Sequence, residues 1–130
     1  MKHLGLCYLA TPYTNYPDGH EQAFIDASKL VARMIIAGFS VFSPIVHTHS
    51  VAVHGNLNKT DHNFWLGVDD DFMIVSKTLL IAQMKSWEES DGIERELKRF
   101  KELEKKYYYL DPETLSLGAA PSPLARAENE

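Results

Sequence analysis

The sequence has almost no cysteine, since Cys7 is the only one among its 130 residues. A single cysteine excludes a disulfide within one chain and a zinc site built from cysteines, and it is typical of a reducing compartment. The apolar segment at residues 1–10 is too short for the core of a signal peptide. We therefore expect a cytoplasmic protein.

Long apolar runs and an excess of basic residues are also absent. No run approaches the roughly 18–20 apolar residues of a membrane helix, so we expect no membrane partner. Lys and Arg number 13 against 18 Asp and Glu, which gives a net charge of −5. A chain without a basic stripe does not suit a nucleic-acid polymer, whose phosphates must be neutralised. A small anionic ligand at a helix N-terminus is still compatible with this charge.

Glycine-rich phosphate loops are missing too. The chain has neither a Gly-x-Gly-x-x-Gly pattern nor a Walker loop, which disfavours those two kinds of nucleotide site. Its composition, 45% hydrophobic and 24% charged, is typical of one soluble domain with a real core.

Short, uninterrupted apolar runs alternate with amphipathic segments along the chain. Such runs predict strands buried on both faces, and the alternation predicts a parallel sheet. The expected fold class is therefore α/β: a single-domain doubly wound parallel sheet, Rossmann-like or flavodoxin-like, with helices on both faces. The predicted strands are residues 4–10, 39–43, 78–82 and 107–110, and the predicted helices are 20–37, 61–71 and a segment that starts near 91.

Two of these helices carry more apolar surface than so small a domain can bury. The surplus predicts a homodimer or a dimer of dimers. We expect the domain to cover residues 1–115, and residues 116–130 to form a tail that is flexible or docks on a partner subunit. The side chains expected to face inward are Phe24, Ala27, Val31, Met34 and Ile35 in the first helix, and Phe64, Trp65 and Val68 in the second.

Ligands of such sheets bind beyond the carboxyl ends of the strands. The loops expected there are residues 11–19, 45–60 and 83–92. The second loop holds His47, His49 and His54, which are possible metal ligands by residue type. Their spacing matches no strong metal motif, and polar contacts or substrate positioning are commoner roles. We therefore expect no metal.

The last predicted helix carries a carboxylate on its apolar side. Ser90 is a good N-cap, and the apolar stripe that follows includes Phe100 and Leu103. At about 100° per residue, Glu96 falls between those two side chains. The helix dipole also favours an acid here, but Glu94 would serve it equally well. Glu96 is therefore a candidate pocket residue.

A second acidic feature is the triplet Asp69, Asp70 and Asp71. At least two of the three are expected at a solvated helix end. One of them, placed near Glu96, would complete a carboxylate pair. Such a pair suits chemistry at an anomeric carbon, where one group attacks and the other handles a proton or a sugar hydroxyl.

Four segments, taken in order and spacing, resemble the nucleoside 2-deoxyribosyltransferase superfamily, which includes deoxynucleoside 5′-monophosphate N-glycosidases. The chain is most similar to an uncharacterised bacterial and phage branch of it. No single motif is specific, whereas their order and spacing are. The segments are YLATPY at 8–13, GFSVFSPIVH at 38–47, WLGVD at 65–69 and SDGIEREL at 90–97.

The resemblance implies catalytic roles. Glu96, four residues after Gly92, corresponds to the family nucleophile, and Asp69 to the aspartate that contacts the sugar and assists protonation. Tyr8 by residue type alone is a core tyrosine whose hydroxyl reaches water. The resemblance makes it the residue that holds Glu96 in place.

The resemblance also implies a substrate site and no cofactor. Ser90 matches the serine that contacts a 5′-phosphate, and the other implied substrate-binding residues are Gly92, Ala10, Pro12 and His47. The expected function is cleavage, by hydrolysis or base transfer, of the N-glycosidic bond of a nucleoside or nucleoside 5′-monophosphate. The alternative is a non-catalytic nucleotide-binding or regulatory domain of the same fold.

Overall fold

A computed structural model describes residues 2–122 of the chain. Strands and helices alternate through most of this range, as the apolar runs predict. Short 3-10 turns lie at Lys2–Leu4 and Trp87–Glu89. The elements in chain order are β1 (Leu6–Ala10), α1 (His20–Ile36), β2 (Ser40–Phe42), α2 (Pro44–His54), α3 (His62–Val75), β3 (Thr78–Ala82), α4 (Asp91–Glu102), β4 (Lys106–Leu110) and β5 (Leu117–Gly118).

The sheet has the strand order β2-β1-β3-β4-β5. The first four strands are parallel, and β5 runs antiparallel to β4. The predicted α/β fold, a mostly parallel sheet of the Rossmann or flavodoxin type, is confirmed. The chain leaves β1 toward β2 and returns to β3 on the other side of β1. The crevice between β1 and β3 is therefore the topological switch point, where ligands of such sheets bind.

Helices cover both faces of the sheet, because side chains of β1 alternate between two cores. Cys7 and Leu9 belong to the core under α1. Tyr8 and Ala10 belong to the opposite core, with buried side chains of α3 and α4. No helix among the described residues is long and apolar enough to cross a membrane.

The prediction of a loop at residues 45–60 is wrong, because helix α2 occupies most of this segment. Pro44 stands at the first turn of the helix, where proline needs no N–H. Ser43 is the N-cap and accepts the Val46 backbone N–H at 3.2 Å. The buried face offers no apolar stripe to reveal the helix, since its members are Pro44, Thr48, His49 and Ala52.

Two expected inward-facing side chains point outward instead. Ile35 is 58% exposed and Phe64 is 49% exposed. The buried face of α1 is made mainly of the small residues Ala23 and Ala27 with Leu30 and Met34, so Ile35 lies off it. The first turns of α3 border a cavity rather than the sheet, and Met73 is the only residue of α3 that is fully buried.

The end of the described chain adds one element that the sequence did not predict. Residues 117–118 pair with β4, beyond the expected domain limit at residue 115. The backbone N–H of Ser122 then donates to the Gln83 side-chain oxygen at 3.1 Å. Residues 123–130 of the expected tail lie outside the described residues, so docking of this tail on a partner stays a prediction.

Candidate functional site

One cavity opens at the carboxyl ends of β1 and β3, at the switch point of the sheet. Side chains from the β1 loop, from three helices and from the segments between them converge on it. Its lining includes Thr11, Tyr13, Thr48, Asp69, Ser90 and Glu96. The structure therefore brings together residues that are up to 85 positions apart in the chain, namely Thr11 and Glu96.

Helix α4 carries Glu96 to the wall of this cavity. Ser90 caps the helix by accepting the Ile93 backbone N–H at 3.2 Å. Ile93 and Phe100 anchor the helix in the core, and Glu96 on the same side is only 8% exposed. Burial raises the pKa of Glu96 to about 8, although the Tyr8 hydroxyl pulls the pKa the other way. A carboxyl group in this state carries its proton at neutral pH.

The acidic triplet divides into three environments. Asp69 lines the cavity, and burial raises the pKa of its carboxyl to about 7. Asp70 instead pairs with Arg99, whose Nε lies 2.6 Å from one carboxylate oxygen. Asp71 is exposed. The structure therefore places Asp69, and neither neighbour, on the same cavity as Glu96.

Tyr8 lies behind the cavity wall rather than in it. Its side chain is fully buried, and its ring packs between Phe42 and Phe100, with centroids 5.9 and 5.7 Å away. Burial raises the pKa of Tyr8 well above its usual value, and the charges of Glu96 and Asp69 add to the rise. Tyr8 therefore keeps its hydroxyl proton next to the two carboxyl groups.

Two buried polar atoms of the cavity lining have no hydrogen-bond partner among the described residues: Thr11 Oγ1 and Asp69 Oδ1. Buried polar atoms in folded proteins are nearly always paired, because an unpaired one costs free energy. Two such atoms on one cavity indicate a place that a ligand or water fills.

The other predicted site residues fall into three groups. Ser90 and Gly92 line the cavity. Ala10 and Pro12 are buried and lie outside the lining. His47 is exposed and away from the cavity, and its ring packs near Phe72 with centroids 5.6 Å apart.

Several lining residues were not found by sequence reasoning. Lys59 and Arg95 bring positive charge to the cavity, and His62 and Trp65 lie beside them. The position of Arg95 directly before Glu96 was a usable signal. Lys59 and Trp65 belong to the segment around the start of α3, whose place beside α4 is set by tertiary packing.

The three histidines of residues 47–54 do not converge. His49 is buried at 3% exposure, whereas His47 and His54 are exposed. Within residues 2–122, no group of three or more His, Cys, Asp or Glu side chains is placed to hold a metal ion.

Comparison with known proteins assigns a family but no activity. The chain belongs to the family described as a domain of unknown function, DUF1937, whose model matches residues 5–110. That match runs from β1 to the end of β4 and includes every lining residue named above. None of the curated proteins matches the chain.

Proposed function

For this member of a family of unknown function, we propose cleavage of the N-glycosidic bond of a nucleoside or nucleoside 5′-monophosphate. The observation that carries the proposal is a pair of carboxyl groups, the buried Glu96 and the half-buried Asp69, on one cavity at the switch point of the sheet. Paired carboxyls in different environments are the usual equipment for chemistry at an anomeric carbon. The resemblance to the nucleoside 2-deoxyribosyltransferase superfamily supports the same assignment.

In the first step of this mechanism, a Glu96 carboxylate oxygen attacks C1′ of the sugar. The C1′–N bond breaks, and its electron pair leaves with the base, which takes the proton of Asp69. The sugar is then held as an ester of Glu96.

In the second step, a water molecule attacks C1′ and gives its proton to the Asp69 carboxylate. The bond between C1′ and the Glu96 oxygen breaks, and its electron pair restores the carboxylate. A second base in place of water gives base transfer instead of hydrolysis. The cycle needs no cofactor.

Proton placement follows from the coupling of the two acids. The pKa of Asp69 is about 7 and that of Glu96 about 8, so between these values the pair holds one proton and one charge. Reaction needs the proton on Asp69 and the charge on Glu96. Because Glu96 has the higher pKa, this reactive form is the minor one of the two forms that hold one proton. The Tyr8 hydroxyl increases its share, because a nearby donor stabilises the ionised form of Glu96.

Features around the pair favour a phosphorylated substrate. Lys59 and Arg95 line the cavity, and so do Ser90 and Gly92 at the start of α4. The N-terminus of a helix and nearby cations both attract anions. A 5′-phosphate bound there would leave C1′ free to approach Glu96.

The proposal extends to assembly and location. Large apolar side chains remain exposed, among them Ile36 at 87% and Val75 at 67%. Such side chains are commonly covered by a second copy, so we propose a homodimer or dimer of dimers in the cytoplasm.

A screen for free base tests the enzyme assignment. Nucleosides and their 5′-monophosphates are incubated with the protein, with and without an acceptor base, and the products are separated by chromatography. Release of base by the wild type and none by Glu96→Gln supports the proposal. Binding without any release supports the alternative of a non-catalytic nucleotide-binding or regulatory domain.

A further inference from the structure

Three side chains, which we call the Tyr13 triad (Tyr13, His49 and Glu21), connect the cavity with the protein surface. Tyr13 lines the cavity, and its hydroxyl oxygen lies 2.6 Å from His49 Nδ1. Nε2 of the same ring lies 2.8 Å from a Glu21 carboxylate oxygen. The His49 side chain is 3% exposed and that of Glu21 is 72% exposed. The proposed cleavage uses none of the three.

The triad is held rigidly by three segments of the chain. Tyr13 follows β1, Glu21 belongs to α1 and His49 to α2. The His49 ring stacks on Phe24 with centroids 4.5 Å apart, and the Tyr13 ring stacks on His20 at 4.4 Å. Hydrogen bonds at both ring nitrogens and a stacked neighbour fix the orientation of His49.

The hydrogen-bond partners determine where the protons lie. An ionised carboxylate can only accept, so the bond to Glu21 requires a hydrogen on His49 Nε2. The other nitrogen of a neutral imidazole is an acceptor, so Nδ1 takes the hydroxyl hydrogen of Tyr13. Burial raises the pKa of Tyr13 to about 12, and the charge of Glu21 adds to the rise, so this hydroxyl stays protonated. Only lone pairs then remain on the Tyr13 oxygen.

We propose that Tyr13 is a specificity-determining residue: its only hydroxyl proton is committed to His49, so its oxygen offers the ligand an acceptor and selects ligands that bring an N–H or O–H donor. On a nucleoside, the donor is an exocyclic amino group of the base or a sugar hydroxyl. An oxo group in the same place would be repelled by the Tyr13 oxygen, because neither oxygen has a hydrogen to donate. The inference rests on the proposed function in one respect, the choice of nucleosides as ligands.

The proton assignment has a direct test that requires no ligand. In protein labelled with 15N-histidine at pH 8, we expect His49 to carry its hydrogen on Nε2, with Nδ1 as the acceptor. His49→Gln identifies the His49 signals by their loss, and His47→Gln is the matched control that leaves them in place. A hydrogen on Nδ1 would free the Tyr13 proton for the cavity and would overturn the inference.

The selectivity has a second test, by calorimetry on the Glu96→Gln background, which prevents turnover. The ligand pairs are cytidine with uridine, adenosine with inosine, and adenosine with 2′-deoxyadenosine. We expect the donor-bearing member of at least one pair to bind more tightly, and Tyr13→Phe to reduce that Kd ratio by about 2- to 12-fold, the value of one hydrogen bond. Tyr107→Phe is the control and should leave all three ratios unchanged.

The outcomes separate this inference from the proposed function. A change in an amino-to-oxo ratio identifies the base as the donor, and a change in the ribose-to-deoxyribose ratio identifies the sugar. If nucleosides bind and wild-type protein releases base, but Tyr13→Phe alters no ratio, the inference fails and the proposed function stands. If a ratio changes but no base is ever released, the inference stands and the proposed function fails. Failure of these nucleosides and of their 5′-monophosphates to bind overturns both.

Discussion

Replacing Glu96 by glutamine should stabilise the protein at alkaline pH while it abolishes turnover. The pKa of Glu96 rises on folding from 4.5 to about 8. A carboxyl group with a raised pKa in the folded state favours folding only while it is neutral, so its ionisation destabilises the fold as pH rises between these two values. Glutamine has nearly the same shape and carries no charge at any pH.

The size of this effect follows from the pKa rise. A rise of about 3.5 is equivalent to about 4–5 kcal/mol when the group is fully ionised. At pH 5, where Glu96 is still neutral in the folded chain, the expected gain is under about 1 kcal/mol. At pH 9, we expect Glu96→Gln to increase the free energy of unfolding by about 2–5 kcal/mol. Because Asp69 is present in both proteins, its own titration largely cancels in the comparison.

Urea unfolding at pH 5 and pH 9 measures the effect. Glu94→Gln is the matched control, since Glu94 is exposed on the same helix and its replacement should change stability equally little at both pH values. An equal effect of Glu96→Gln at pH 5 and pH 9 would show that Glu96 ionises as readily in the folded chain as in the unfolded one. The reasoning that makes it a buried, functional carboxyl group would then fail.

Four further predictions concern the site and the assembly. Asp69→Asn should lower kcat/KM by at least ~100-fold, whereas Asp70→Asn and Asp71→Asn should not. The wild-type profile of kcat/KM should rise with pH near 7 as the Glu96–Asp69 pair loses its first proton and fall above about 8 as the pair loses its second, and Asp69→Asn should lose the alkaline fall. An unchanged profile would remove Asp69 as the acid. Gly92→Ala should leave the fold intact, since the nearest atom to an added methyl group would be Ser90 Oγ at 3.7 Å. KM should nevertheless rise, because the methyl group would be added at the cavity wall. An unchanged KM would place the substrate elsewhere. Light scattering at micromolar concentration should give at least twice the chain mass of 14.7 kDa, and a clean monomer would refute the proposed assembly. Truncation after residue 122 tests whether the tail contributes to that assembly.

The sequence predicts best what local pattern determines. The continuous apolar run at residues 78–82 gave the limits of β3 correctly. The inward position of Glu96 also followed from periodicity, because Ile93 and Phe100 do pack into the core beside it. Both depend on neighbours within a few residues of each other.

What the sequence could not give depends on distant neighbours. Asp69 and Asp70 are chemically identical. Only the packing of α3 on α4 determines that Asp70 forms an ion pair with Arg99 and that Asp69 lines the cavity. The sequence pattern did not predict helix α2, because the buried face of this helix holds His49 and Thr48 rather than large apolar side chains. Strand β5 is two residues long in a polar segment, which is too short to show a period.

The stereochemistry of cleavage shows whether Glu96 attacks the sugar. Reaction of a 2′-deoxynucleoside in the presence of methanol gives a methyl deoxyriboside, whose configuration at C1′ is read by NMR before it can change. Attack by Glu96 followed by attack of methanol inverts C1′ twice, so we predict that the β configuration of the substrate is retained. A product of inverted, α configuration would mean that the acceptor attacks the sugar directly, and that Glu96 forms no ester.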